Sequence, residues 1–338
     1  MFTEKLRKIT RQEDLDASET AQIINEIFSG SLTDAQIGAF MAALATKGET
    51  YEELAGAATA MRRKAIRIET PASTIVDTCG TGGDGAKTFN ISTTTAFVVA
   101  GCGVTVAKHG NRSISSQCGS ADLLEVLGMN LDLDPELVEE AVTDIGIGFL
   151  FAPKYHGAMR YAATARKEVA IRSIFNMLGP LTNPAAANCQ ILGVYAPELT
   201  EMFARAMQKL GSRRVFVVHG HDGLDEISVC APTRISELND GRIQTYDISP
   251  EQFFREPAEP EALAGGDPAE NADITLKILG GEKGPCRDVV LINAAAALVA
   301  AGKAEKLSDG ITVAEHAIDS GAARDKLDAL IAFTRENT

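Results

Sequence analysis

Six short runs of β character, at 74–78, 103–107, 146–151, 190–195, 213–219 and 242–248, alternate with stretches of helical pattern. That alternation implies an α/β unit built on a largely parallel sheet. Residues 1 to about 66 contain no such run. There Ile23, Ile24, Ile27 and Phe28 follow the 3.6-residue period, Ser31 to Asp34 offers a cap before Ala35–Ala45, and Gly48-Glu-Thr50 opens another helix through Arg63. The expected organisation is a small all-α unit at 1–70, with a contribution from about 170–187, and a large α/β unit at 73–338. Pro250 to Asp273 carries four prolines and many acids, which marks a surface connection. The Ala-rich stretch from Asp288 to Phe333 reads as closing helices, and there is no internal repeat.

With 338 residues, 45% of them hydrophobic, the chain can bury a large core. No apolar run approaches the roughly 20 residues of a membrane span, and the N-terminus has no stretch of signal-peptide length, so the expected location is the cytoplasm. The six cysteines (79, 102, 118, 189, 230, 286) show no metal or redox spacing and are expected to be free thiols. The net charge of −14 sets the general field against nucleic acid and anionic membranes. An anionic ligand therefore needs local help, from a helix N-terminus or a divalent cation.

One stretch offers that help: "GTGGDGAKTFNIST", residues 80–93, between the first β run and a helix. Gly80, Gly82 and Gly85 match the dinucleotide spacing, but the helix starts late, with Asn90-Ile-Ser-Thr93 as its first good cap. The second strand, moreover, ends in Lys108-His-Gly-Asn-Arg112 where an acid would be needed. The same stretch misses a P-loop because Ala86 separates the last glycine from Lys87. What persists is an anion nest: glycines free to take positive φ, a following helix N-terminus, and hydroxyls at Thr88, Ser92 and Thr93.

Consecutive ends of parallel strands open on one crevice, so the basic loop from Lys108 to Ser120 is expected to face the first. Lys108 and Arg112 offer charge, and the helix after Gly119-Ser120 offers a second N-terminus. Beyond the strand 214–219, Asp225-Glu226 are adjacent carboxylates in a loop, fit to hold Mg²⁺ together with phosphate oxygens, or else surface decoration. His219 and His221 do not make a zinc site, since Gly220 turns the chain and no cysteine lies at ligand spacing. His156, Met159 and Arg166 can share a helical stripe suited to a small aromatic acid; the alternative is a packed stripe with Arg166 in an ion pair. Gly179-Pro180 and Asn183-Pro184 define a turn, expected as the hinge or crossing between the two units.

Taken together, "GTGGDGAKTFNIST", "KHGNRSISS", "GSADLLEVLG", "RSIFNMLGPLTNPA", "DGLDEIS" and "INAAAALVAAG" resemble the anthranilate phosphoribosyltransferase family over nearly the whole chain. The resemblance implies the nucleoside-phosphorylase-like phosphoribosyltransferase fold, a small all-α domain plus a large α/β domain with a mostly parallel sheet. It implies transfer of the 5-phosphoribosyl group from phosphoribosyl pyrophosphate to anthranilate in tryptophan biosynthesis, with Mg²⁺, in a homodimer joined through the helical domain. By position, phosphoribosyl pyrophosphate would meet Gly80, Gly83, Asp84, Thr88, Asn90, Ile91, Ser92, Thr93, Lys108, His109, Gly110, Asn111, Arg112, Ser113, Ile114, Ser115, Ser116 and Ser120. Anthranilate would meet Gly80, Asn111, His156 and Arg166, and Mg²⁺ would meet Ser92, Asp225 and Glu226. No residue is implied as nucleophile or base. The chain departs from the family pattern at Gln117-Cys118, often Lys-Ser, and at Ala170, often Gly. A non-catalytic nucleic-acid-binding relative would show a basic surface and eroded motifs, and a pyrimidine nucleoside phosphorylase would differ at the second loop.

Overall fold

The computed structural model describes residues 2–113 and 117–337. Seven strands, β1 (Val76–Thr78), β2 (Val106–Gly110), β3 (Ile147–Phe151), β4 (Cys189–Gly193), β5 (Arg214–Gly220), β6 (Thr233–Asn239) and β7 (Arg242–Ile248), form one sheet in the order β3-β2-β1-β4-β5-β6-β7. The first five are parallel, with Val76 in register with both Val106 and Cys189. β6 and β7 extend the sheet as an antiparallel hairpin. All six β runs expected from the sequence are strands, and β6 is a seventh. Thr233-Arg-Ile-Ser-Glu-Leu-Asn239 alternates polar and apolar residues, and its turn, Asp240-Gly241, has φ of 44° and 80°, the positive pair that tight hairpins use.

The sheet is buried on both faces because its strands alternate. In β5, Val215 and Val217 pack with one hydrophobic cluster while Phe216 and Val218 pack with the other. On the latter side lie helix α5 (Ile91–Gly101, numbered after the four N-terminal helices below) and the helix Pro285–Ala301, buried from Val289 to Ala300. Their small and β-branched side chains allow close approach to the sheet, and each fully buried Val, Leu or Ile stabilises by about 1.5–3 kcal/mol.

The four N-terminal helices, α1 (Phe2–Thr10), α2 (Ala17–Phe28), α3 (Asp34–Lys47) and α4 (Tyr51–Lys64), contain no intervening strand. Reciprocal caps start three of them, at Asp16 with Glu19, Thr33 with Gln36, and Thr50 with Glu53. Phe28, Phe40, Leu44 and Leu54 share a cluster with Ile174, Phe175, Leu178 and Leu181, and the Arg62 side chain donates to the Leu181 carbonyl at 2.7 Å. A small all-α unit thus sits beside a large α/β unit with a mostly parallel sheet.

Candidate active site

The chain leaves β1 at Cys79 and enters the glycine-rich loop. Gly82, Gly83 and Gly85 take φ of 64°, 78° and 75°, so the backbone curls as only glycine does without strain. Lys87 follows at φ 56°. The far side of the loop is pinned: Thr88 bridges Ala264, Phe89 N–H donates to the Leu263 carbonyl at 3.1 Å, and Gly265 N–H donates to the Lys87 carbonyl at 3.0 Å. Helix α5 begins late, at Ile91, as its capping residues indicate. Asn90 stands at the cap position without capping it. Its Nδ2 instead donates to the Cys118 carbonyl at 3.1 Å, which ties the first loop to the second. Asn90 Oδ1 and Thr93 Oγ1 are buried without a hydrogen-bond partner among the described residues. Unpartnered polar atoms beside a helix N-terminus are a place for an anion's or a sugar's own polar groups.

Strand β2 runs to Gly110, so Lys108 and His109 belong to the sheet and not, as their position in the sequence indicates, to a basic loop. Lys108 is buried, with Nζ 2.5 Å from the Thr78 carbonyl and 3.4 Å from Ser92 Oγ. Burial lowers its pKa, against the raising influence of Asp77, Cys79 and Glu226. His109 donates from Nδ1 to the Gly179 carbonyl at 3.0 Å, which leaves Nε2 as an acceptor facing His156 Nε2 at 3.2 Å. Burial, helped by the neighbouring imidazole, pushes His109 down to about 3, and burial pushes His156 to about 4. Both imidazoles are therefore neutral at pH 7.

The second loop is tied to the helix that follows it. The Arg112 guanidinium pairs with Asp122 at 3.0 Å and Glu125 at 2.8 Å. The N-terminus of the helix Ser120–Val126 is also occupied, because Asp122 Oδ2 accepts from Gly119 N–H at 2.9 Å and Ser113 N–H at 3.0 Å. Asn111 N–H meets Ser120 Oγ at 3.2 Å, and Gly110 lies against that same hydroxyl. Ile114, Ser115 and Ser116 lie outside the described residues.

After β5 the chain turns and presents Asp225 and Glu226 to the glycine-rich loop. Asp225 Oδ2 accepts from Gly82 N–H at 3.0 Å, and Asp84 Oδ2 accepts from Asp225 N–H at 3.5 Å. Gly80 lies against the same carboxylate: a Cβ there would be 2.8 Å from Asp225 Oδ2. Burial, then the charge of Asp84, raises the pKa of Asp225 to about 7. Burial and the charge of Asp225 push Glu226 well above the usual range, opposed by Lys108 and by a hydrogen bond from Ser92 N–H. Among the described residues no three His, Cys, Asp or Glu side chains are gathered to hold a metal by themselves. Carboxylates that crowd and repel in this way nevertheless fit Mg²⁺, which takes one or two of them and completes its shell with water and phosphate oxygens.

His156, Met159 and Arg166 do not form one helical stripe. His156 separates a four-residue helix from a 3-10 turn at Gly157–Met159, and the regular helix starts only at Arg160. The His156 ring turns to the sheet and His109. Arg166 is partly buried, 5.9 Å above the Phe175 ring, and makes no hydrogen bond or ion pair among the described residues. Burial lowers its pKa. The structural ion pair that the sequence left open for Arg166 is absent among the described residues.

Two contributors were given no role from the sequence. Asp77, fully buried in β1, accepts from His109 N–H at 3.1 Å and from Asn183 Nδ2 at 2.7 Å, so it fixes the β2 end and the Asn-Pro turn together. An acid inside an otherwise apolar central strand was its signal. The other is Arg172, which opens the motif "RSIFNMLGPLTNPA" but carries no role there; its Nη2 donates to the Gly83 carbonyl at 2.9 Å.

Residues 72–324 match the model of a glycosyl transferase family a/b domain, and residues 3–65 match that family's helical bundle domain. The chain is 70% identical over 338 residues to anthranilate phosphoribosyltransferase of Desulfosudis oleivorans, with all of both chains covered. It is 67% identical to that of Syntrophobacter fumaroxidans, again with all of both chains covered. Among solved structures, anthranilate phosphoribosyltransferase from Thermus thermophilus superposes with a TM-score of 0.92 at 41% identity, covering 98% of this chain and 99% of that one. The Saccharomyces cerevisiae enzyme in complex with PRPP and Mg superposes with a TM-score of 0.89 at 30% identity, covering 98% of each chain.

Proposed function

The chain belongs to the anthranilate phosphoribosyltransferase family, and on that premise we propose that it transfers the 5-phosphoribosyl group from phosphoribosyl pyrophosphate to the amine of anthranilate. The products are N-(5′-phosphoribosyl)anthranilate and pyrophosphate, a step of tryptophan biosynthesis. The observation that carries the reading is the meeting of the glycine-rich loop with the carboxylate pair, Gly82 N–H on Asp225 Oδ2 at 3.0 Å. A nest for phosphates directly against a site for Mg²⁺ fits a pyrophosphate ester.

Phosphoribosyl pyrophosphate is assigned to Gly80, Gly83, Asp84, Thr88, the start of α5 from Asn90 to Thr93, the run from Lys108 to Ser113, and Ser120. Ser92, Asp225 and Glu226 are the Mg²⁺ ligands of this reading. The ion supplies charge neutralisation to the departing pyrophosphate when bound. Lys108 holds a buried positive charge beside Ser92, where negative charge grows as the C1–O bond breaks. Arg166 receives the anthranilate carboxylate, with Asn111, His156 and Gly80 around the ring and amine. An aniline-type amine is neutral at pH 7, so its lone pair forms the N–C1 bond without a strong base, and its proton leaves afterwards.

A homodimer through the helical unit and a cytoplasmic location complete the proposal; no helix among the described residues is long and apolar enough to cross a membrane. The net charge of −14 opposes the nucleic-acid-binding alternative. The test is loss of anthranilate fluorescence. It is expected only with both phosphoribosyl pyrophosphate and Mg²⁺ present, and to stop on adding EDTA; constant fluorescence under all conditions would sink the proposal.

A further inference from the structure

Between the helix Arg160–Val169 and the short helix Ile174–Met177 lies an arginine to which none of the roles above is given. The Arg172 guanidinium carbon stands 3.7 Å from the centroid of the Tyr195 ring, and its Nη2 donates to the Gly83 carbonyl at 2.9 Å. Stacking on Tyr195, just beyond β4, restrains the plane of an otherwise exposed side chain. Gly83 makes the approach possible for two reasons. Its φ is 78°, and a Cβ there would lie 2.3 Å from Arg172 Nη2.

A trans peptide points its carbonyl and the next N–H in opposite directions. Holding the Gly83 carbonyl therefore aims the Asp84 N–H away from Arg172. That N–H has no hydrogen-bond partner among the described residues, although its neighbours in the loop are tied down: Gly82 N–H to Asp225 and Ala86 N–H to Asp84 Oδ1 at 3.3 Å. A free N–H between glycines at positive φ is the kind of donor an anion nest presents.

We infer that Arg172 is a positioning residue for the phosphate loop: it locks the Gly83–Asp84 peptide so that the Asp84 N–H is presented to a phosphate oxygen of phosphoribosyl pyrophosphate. The inference rests on the phosphoribosyl-transfer reading and adds to it a residue that acts through the backbone. It also joins two parts of the molecule, since Ile174 and Phe175, shortly after Arg172, pack in the cluster of the N-terminal helices.

Steady-state kinetics of Arg172→Ala, Arg172→Lys and Tyr195→Leu against wild type test it. Losing a charge-assisted bond on an exposed side chain is expected to raise the KM for phosphoribosyl pyrophosphate on the order of 5- to 20-fold in Arg172→Ala. The KM for anthranilate is expected to stay within about twofold, because Arg172 acts on one peptide of the other substrate's loop. Arg172→Lys recovers only part, since an ammonium neither stacks flat nor keeps the fork, and Tyr195→Leu gives a smaller rise in the same direction. An active Arg172→Ala with an unmoved KM for phosphoribosyl pyrophosphate, or with both KM values raised equally, overturns this inference alone. An inactive wild type overturns the phosphoribosyl reading, and this inference with it.

Discussion

Replacing Arg166 by alanine separates a binding role from a structural one, because the structure leaves this side chain with so little to lose. Its guanidinium is partly desolvated over the Phe175 ring and meets no carboxylate among the described residues. A cation in that position gains a charge-assisted, two-pronged contact when an aromatic carboxylate arrives, and such a contact contributes roughly 1.5–3 kcal/mol. At about 1.4 kcal/mol per tenfold, the KM for anthranilate is expected to rise on the order of 10- to 150-fold. The KM for phosphoribosyl pyrophosphate is expected to hold within about twofold, since Arg166 makes no hydrogen bond or ion pair with the phosphate loops among the described residues. Stability is expected to change little. Alanine gives up the attraction between guanidinium and ring, about 0.5–1 kcal/mol, and at the same time removes a charge that burial disfavours. Arg166→Lys restores part of the affinity because the charge returns without the planar fork. Initial rates from anthranilate fluorescence, with each substrate varied in turn, and a thermal melt of both proteins check the prediction. A melt lowered by several degrees with unchanged anthranilate saturation would refute the reasoning and make Arg166 a structural residue.

The carboxylate pair gives a prediction of opposite signs for activity and stability. Asp225→Asn with Glu226→Gln is expected to cut activity by at least about 100-fold through loss of Mg²⁺ binding. Both folded-state pKa values are raised, so ionising these acids destabilises the metal-free fold as pH rises from about 4 toward 7, and the double variant is expected to melt at or above wild type at pH 7.5 without Mg²⁺. The histidine pair titrates the other way. With His109 held at about 3 and His156 at about 4, the unfolded chain takes up protons first, so stability is complete above about pH 6.5 and falls as pH drops toward 4. Urea midpoints at pH 7.5 and 5.0 are expected to show that loss, and it is expected to shrink in His156→Gln. Ala170 caps its helix at φ 53°, where glycine fits without strain; Ala170→Gly is expected to stabilise by about 0.5–1 kcal/mol, read as a rise in urea midpoint.

What the sequence made legible was whatever depends on pattern along the chain. Five parallel strands, the late start of α5 at Ile91 and the loop position of Asp225 and Glu226 all follow from local composition, because turn glycines, caps and β-branched runs act within a few residues. β6 was missed although Asp240-Gly241 marks its hairpin, since Arg234 and Glu237 break up the apolar signal of an antiparallel strand. The site was legible in its members but less so in their roles. Lys108 lies inside the sheet because Asp77, the Thr78 carbonyl and Glu226 offer a buried ammonium its counter-charges and acceptor. Arg112 is paired with Asp122 and Glu125 because both acids, on the next helix, lie within reach. Neither choice is visible from spacing alone. The role of Arg172 was hidden for the same reason: Gly83 lies 89 residues away in the chain, and only the fold brings the two together.

One crevice joins a phosphoribosyl donor to an aromatic amine, and mass analysis of the products formed by the purified protein from anthranilate, phosphoribosyl pyrophosphate and Mg²⁺ tests this. N-(5′-phosphoribosyl)anthranilate and pyrophosphate are expected in equal amounts, with neither formed when any one component is left out. Unchanged anthranilate, together with phosphate-dependent cleavage of thymidine by the same preparation, would contradict it and point to a nucleoside phosphorylase.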